Sequence, residues 1–355
     1  MHHFFSSTRL LKWMARFAGK TNVAGLGELT YSMLQGDHGN QARELADMVH
    51  WLKMEAKPDI ICLSNALLSG FAQPLQSGLN VPVACMLQGE DGFLDMLSSP
   101  WKERCWSIIA ENLAACSQLI APSRYFANMM ADRLGLEKKK ISIVANGINT
   151  TGFRRSSLSS DPPVLGYFAR LCPDKGLDVL VDAFLLLRKR NKVSNLKLKC
   201  GGGLGPSDES FVREQKRKIA AEGLEEEVSW HPNLDRNQKI EFLSSLTLFS
   251  VPARYSEAFG LYLLEAMTSG VPVVQPRHAA FTELIEQSGA GILYDPGKPE
   301  GLAEAIEELL VDRGKLNLVA NTAWEVVTRD YSVQAMTKRM LKSFEQTLSH
   351  DISKP

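Results

Sequence analysis

The sequence predicts an α/β protein of two doubly wound domains, and three observations carry that expectation. Short apolar runs alternate with helical stretches between residues 58 and 150. A stretch rich in serine, threonine and proline, Thr150 to Pro163, interrupts the alternation, and from Val164 it restarts. Strands and helices alternating in this way form parallel βαβ units, with the interruption read as an interdomain linker. The 355 residues, 45% apolar, are enough for about two cores.

Taken in order, the first 27 residues contain no acid. Arg9, Lys12, Arg16 and Lys20 share a helical face against Leu10, Trp13, Met14 and Phe17, which makes a basic amphipathic helix. Three readings stand: a transit peptide, a membrane-surface helix, or a domain helix packed on the core. Strands are expected at Pro58 to Leu63, Val81 to Leu87, Gln118 to Ala121 and Ile141 to Ala145, with helices through about Gln76, at Trp101 to Cys116 and at Tyr125 to Leu134. In the second half, strands are expected at Val164 to Ala169, Leu196 to Cys200, Glu227 to Trp230, Leu248 to Val251, Val271 to Val274 and Gly291 to Leu293. A helix is expected at Leu177 to Arg190, and a final pair after Gly301.

The bulk numbers exclude several classes. Forty basic and forty acidic side chains balance, which argues against nucleic acid as the main partner. The six cysteines fall at irregular spacings without a CxxC pair, and read as buried thiols in a reducing compartment. The seven histidines show no HExxH spacing, so no structural zinc is expected. No apolar run reaches the length needed to span a bilayer.

The chemistry concentrates in Ser256-Glu257-Ala258-Phe259-Gly260-Leu261 through Glu265-Ala266-Met267. Two carboxylates lie eight residues apart around a helix start, where backbone N–H groups and the helix dipole favour a phosphate or diphosphate. Gly260 carries no side chain to hold such a ligand away. Glu257 and Glu265 would accept hydrogen bonds from sugar hydroxyls on either side. Upstream, Gly166 to Gly176 reads as strand, basic loop and helix, and puts Arg170 and Lys175 at the carboxyl end of a strand, where open parallel sheets bind ligands. Two cations there would neutralise a nucleotide diphosphate.

Together these motifs resemble family 4 glycosyltransferases, whose signature is a glutamate, seven residues and a second glutamate. The resemblance implies a GT-B fold: two Rossmann-like domains facing a cleft, an acceptor-side domain over residues 1–155 and a donor domain over 164–331. The last helix, about 332–350, would complete the first domain. Ala121-Pro122-Ser123, Asn146-Gly147-Ile148-Asn149 and the Gly201 to Gly205 run, with Gly202 and Gly203 beside the donor nucleotide, match further pieces of the family.

The chain also departs from the pattern. The usual opening strand and glycine-rich loop do not appear, so the first domain is expected to be incomplete through truncation, misassignment or loss. Gly25 and Gly27 do not replace that loop, since no clear strand precedes them and no helix follows at once. Where relatives place a histidine, this chain has Gln88, followed by Glu90 and Asp91, whose readings are acceptor orientation or helix capping. After Val274 relatives tend to place a glycine pair; this chain has Arg277-His278-Ala279-Ala280.

The expected function is retaining, metal-independent sugar transfer from a nucleotide-diphosphate sugar, a co-substrate, with no other cofactor. The acceptor would be a saccharide, a lipid-linked molecule or another small molecule. Arg170 and Lys175 would hold the diphosphate, Glu257 the donor sugar, Glu265 the ribose, and the backbone of Phe259, Gly260 and Leu261 the phosphates. Rivals are a catalytically impaired remnant that binds nucleotide sugar or a partner, and a GT-B-like nucleotide-sugar epimerase. The expected location is the cytoplasm, with peripheral membrane contact through residues 9–20 only on the membrane-surface reading of that helix.

Overall fold

A computed structural model of the chain describes residues 23–352 apart from 157, 159 and 160. The basic amphipathic helix expected at residues 9–20 lies outside the described residues. Among the described residues the chain divides into two compact units, the first comprising residues 23–121, 127–142 and 343–352, the second lying within 122–126 and 143–342.

In the first unit the elements run α1 (Val23–Leu34), α2 (Ala42–Trp51), β1 (Ile61–Leu63), α3 (Ala72–Leu79), β2 (Val83–Met86), α4 (Asp91–Met96), α5 (Trp101–Ala115), β3 (Gln118–Ala121), α6 (Arg124–Leu134) and β4 (Ile141–Ile143). The sheet order is β1-β2-β3-β4. Cys62 pairs with Ala84 and Cys85 with Leu119, both in parallel register. Val83, Ala84, Cys85, Ile120 and Ala121 are all buried, as strands covered on both faces require. Helix α5 packs through Cys105, Ile109 and Leu113, spaced four residues apart on one face. Helices α1 and α2 lie outside the elements that the alternation predicts. Gly25 and Gly27 fall inside α1, correcting the expectation that no helix follows them. A Cβ on Gly27 would stand 2.6 Å from the Trp101 side chain, so this glycine serves the close approach of α1 to α5.

The second unit continues with β5 (Val164–Phe168), α7 (Leu177–Arg190), β6 (Lys197–Gly202), α8 (Glu209–Ala221), β7 (Val228–Pro232), α9 (Arg236–Ser244), β8 (Leu248–Phe249), α10 (Leu261–Thr268), β9 (Val273–Pro276), α11 (Ala279–Ser288) and β10 (Gly291–Tyr294). Three helices close the chain, α12 (Pro299–Val311), α13 (Arg313–Asp330) and α14 (Val333–Ile352), where a pair was expected. The sheet order is β10-β9-β8-β5-β6-β7, and neighbouring strands are parallel. The chain lays down β5, β6 and β7 in one direction, then returns to place β8 on the other side of β5. Strand order therefore reverses between β5 and β8, and at such a switch point the loops leaving the carboxyl ends diverge and open a crevice.

The core beneath that crevice joins Leu165, Tyr167, Leu198, Cys200, Phe249 and Val273 of the sheet to Leu180, Phe184 and Leu187 of α7. Removing side chains of this size from water contributes about 1.5–3 kcal/mol each. Within the stretch read as an interdomain linker, Ser156 and Leu158 are fastened to the second unit. The Ser156 N–H donates to the Ser269 carbonyl and its hydroxyl to the Leu246 carbonyl, both at 2.7 Å, and Leu158 is buried.

Candidate functional site

The loop after β5 and the loop after β8 meet at the switch point. Gly176 has φ +69°, and a Cβ there would collide with the Pro252 carbonyl, so glycine permits the contact. The Arg254 and Tyr255 N–H groups donate to the Asp174 carbonyl at 2.9 and 3.3 Å. The Arg254 guanidinium donates to the Pro173 carbonyl at 2.8 Å and to both Asp178 carboxylate oxygens at 2.7 Å. Burial pushes the Asp178 carboxyl upward, but hydrogen bonding and charge from Arg254 outweigh it and leave the group below its ordinary value.

That lacing brings two of the expected residues together. The Lys175 ammonium forms an ion pair with Glu257 Oε1, the side chains being 23% and 13% exposed. The same oxygen accepts from the Tyr262 hydroxyl at 3.1 Å, and Lys175 Nζ stands 5.9 and 5.8 Å from the Tyr255 and Tyr262 ring centroids. Burial first, then the Glu257 charge, raises the Tyr262 phenol well above its ordinary value, so it stays protonated and donates. Arg170 lies on the same loop with its side chain 56% exposed. Its Nε donates to Cys172 Sγ at 3.1 Å and its Nη2 to Asp174 at 3.3 Å, with Asp208 3.8 Å away.

Beside these loops lies a cavity of about 640 Å³ whose lining includes Gly202, Gly203, Leu261 and Glu265. Leu261 and Glu265 share a face of α10 because they are four residues apart. Gly260, with φ +93°, is the residue at which that helix begins. Gly202 has φ +124°, and a Cβ would strike the Ala169 carbonyl; a Cβ on Gly203 would meet nothing within 4 Å. Gly147, Ile148 and Asn149 line the same cavity. Phe259 points elsewhere: its side chain is buried, with its ring 6.1 Å from that of Tyr331.

Several lining residues escaped the sequence reading. Asn233 fastens the glycine-rich turn, its amide oxygen accepting from the Leu204 N–H at 3.0 Å and its amide nitrogen donating to the Leu204 carbonyl at 3.2 Å. Arg236 and Lys239 line the wall from α9, and Lys239 Nζ donates to Glu265 Oε1 at 2.6 Å. The available signal was Asp235 followed three residues later by Gln238, a capping box that marks a helix start. The 277–280 loop touches the motif too: the His278 ring nitrogen is 3.1 Å from the Ser256 hydroxyl, and the Ala280 N–H donates to the Glu257 carbonyl at 3.3 Å.

In the first unit, Glu90 is 5% exposed and enclosed by backbone. Its carboxylate accepts from the N–H groups of Ala66 at 2.8 Å, Gln88 at 2.9 Å and Gly89 at 3.1 Å. Burial raises its pKa, and these backbone hydrogen bonds oppose the rise. The group therefore fastens the loop after β2 to the turn after β1. Asp91 is the buried first residue of α4. Ser123 belongs to the second unit, where its hydroxyl donates to the Ala258 carbonyl at 2.7 Å and accepts from the Phe126 N–H at 3.1 Å.

Residues 149–324 match the model for glycosyl transferases group 1, and residues 28–151 that for glycosyltransferase family 4. The D-inositol 3-phosphate glycosyltransferase of Acidothermus cellulolyticus is 32% identical over 213 residues, 57% of this chain and 47% of the relative. The chain spans about half the length of the curated relatives it matches. Among solved structures, Anabaena HepE in complex with UDP superposes with TM-score 0.74 at 20% identity, covering 88% of this chain and 84% of that one. Sucrose-phosphate synthase from Thermosynechococcus elongatus gives TM-score 0.70 at 20% identity, covering 88% and 80%. Two parallel sheets with these neighbours define the GT-B fold. The chain belongs to the family 4 glycosyltransferases.

Proposed function

We propose that this protein transfers a sugar from a nucleotide-diphosphate sugar to a hydroxyl of a saccharide, lipid-linked or other small acceptor, with retention at the anomeric carbon. The observation that carries the reading is the second unit's switch point, where Lys175 meets Glu257 beside a cavity of about 640 Å³ walled by Glu265. In the reaction the bond from the anomeric carbon to the diphosphate oxygen breaks, and its electron pair stays on the diphosphate. The acceptor oxygen bonds that carbon, and its proton passes to the departing diphosphate oxygen. Negative charge grows on the diphosphate in the transition state, so fixed cations beside it stabilise that state more than the ground state.

Arg170 and Lys175 are assigned to the diphosphate, Glu257 to the donor sugar and Glu265 to the ribose. The backbone of Phe259, Gly260 and Leu261 would approach the phosphates at the start of α10. Neutralisation rests on the two side-chain cations, with no metal assigned to it. Lys175→Ala is expected to lower turnover by ~10² to 10³, read as nucleotide release from the donor sugar in the presence of acceptor. Wild-type turnover in that variant would remove the assignment. Nuclear magnetic resonance of the product's anomeric configuration tests retention, and inversion would refute it.

A further inference from the structure

The wall opposite α10 holds a cation that the roles above do not use. Helix α9 starts at a capping box in which the Gln238 N–H donates to Asp235 Oδ1 at 2.9 Å and the Asp235 N–H to Gln238 Oε1 at 3.0 Å. The cap sets the helix phase. Ile240, Phe242 and Leu243 are buried, while Arg236 and Lys239, one turn apart, line the cavity. Lys239 Nζ reaches Glu265 Oε1 at 2.6 Å, and the two side chains are 24% and 22% exposed. We propose that Lys239 is a positioning residue of the donor site: it fixes the Glu265 carboxylate for a nucleotide ribose and offsets its charge beside the diphosphate.

This inference rests on the assignment of Glu265 to the ribose. Helix α10 fixes the Cα of Glu265, but three side-chain torsions would still let the carboxylate wander. A charge-assisted hydrogen bond from a lysine on a capped helix removes that freedom. It engages Oε1 and leaves Oε2 to accept from a ribose hydroxyl. Exposed ion pairs contribute little because water and salt screen them; this pair is more than three-quarters covered and forms part of a cavity wall. Four charged side chains, Asp235, Arg236, Lys239 and Glu265, line that cavity and sum to zero. Without Lys239 the balance turns negative in the cavity assigned to the ribose of an anionic nucleotide. Arg236 does not replace it, since its guanidinium donates to the Thr151 carbonyl at 2.7 Å and lies 5.9 Å from the Phe153 ring centroid.

The test is calorimetric titration of the full chain with UDP, GDP and ADP, then with the 2′-deoxy and 3′-deoxy forms of the nucleotide that binds. Wild type is expected to prefer a ribose hydroxyl by about tenfold, the scale of one hydrogen bond to a charged group. Glu265→Ala should erase that preference. Lys239→Met should also bring it close to unity and weaken the parent nucleotide about tenfold, with kcat at saturating donor changed far less than KM and an unchanged melting curve. Lys239→Arg should recover most of the preference. Lys239→Gln serves in place of the methionine variant should that one not fold. Full preference and wild-type affinity in Lys239→Met, with the preference lost in Glu265→Ala, would overturn this inference and leave the Glu265 assignment standing. Preference retained in Glu265→Ala would overturn both.

Discussion

Gly202 and Gly203 are adjacent, line the same cavity and have opposite tolerances. A side chain on Gly202 would meet the Ala169 carbonyl and sit at φ +124°, whereas Gly203 faces open space. Gly202→Ala is therefore expected to destabilise the second unit by about 1–3 kcal/mol, the scale of a strained backbone position, measurable by urea unfolding. Gly203→Phe should leave unfolding unchanged while filling the cavity and raising the nucleotide Kd at least ~10-fold, the scale of about 1.4 kcal/mol. Unchanged affinity in a folded Gly203→Phe would show that the nucleotide does not occupy this cavity. The glycine run is visible in the sequence, but its unequal roles depend on contacts formed only by the folded chain. Lys239 was illegible for a related reason: a lysine on the polar face of a helix reads as solvated surface until the facing helix is in place.

The two loops at the switch point act as one element, because Arg254 ties its own loop to Asp178 of α7. The folded pKa of Asp178 lies below its unfolded value, so the brace contributes fully above about pH 4 and is lost as pH falls through the lower folded value. Arg254→Gln should melt below wild type at pH 7, and the gap should narrow toward pH 2 to what the bond to the Pro173 carbonyl contributes. A gap unchanged in acid would mean that the brace is not ionic.

In the first unit, Glu90→Ala should destabilise by about 1–3 kcal/mol for each buried donor left without an acceptor. Chemical unfolding would register this, and near-wild-type stability would contradict a fastening role for Glu90. Local periodicity made α7 legible at Leu177 to Arg190 and β3 at Gln118 to Ala121. It missed α1, because Gly25 and Gly27 disfavour a helix in its first turns and Thr30 and Ser32 interrupt its apolar period. The partner of Glu90 was equally hidden: the Ala66 N–H lies 24 residues upstream.

At the scale of the whole molecule, the reversal of strand order between β5 and β8 gives the motifs their common location. Arg170 and Lys175 leave one strand, Glu257 and Glu265 follow the other, and the order of strands brings Lys175 onto Glu257 although the sequence separates them. The sequence carried both motifs and the resemblance that relates them. It could not carry the Lys175–Glu257 pair itself, which requires the left-handed Gly176 and the Arg254 lacing. The most direct measurement is a calorimetric titration of the full chain with UDP, GDP and ADP, repeated on Lys175→Ala. One nucleotide is expected to bind the wild-type protein, with the affinity largely lost in the variant. Binding of none of the three by folded protein, or affinity indifferent to Lys175, would contradict a donor site at the switch point.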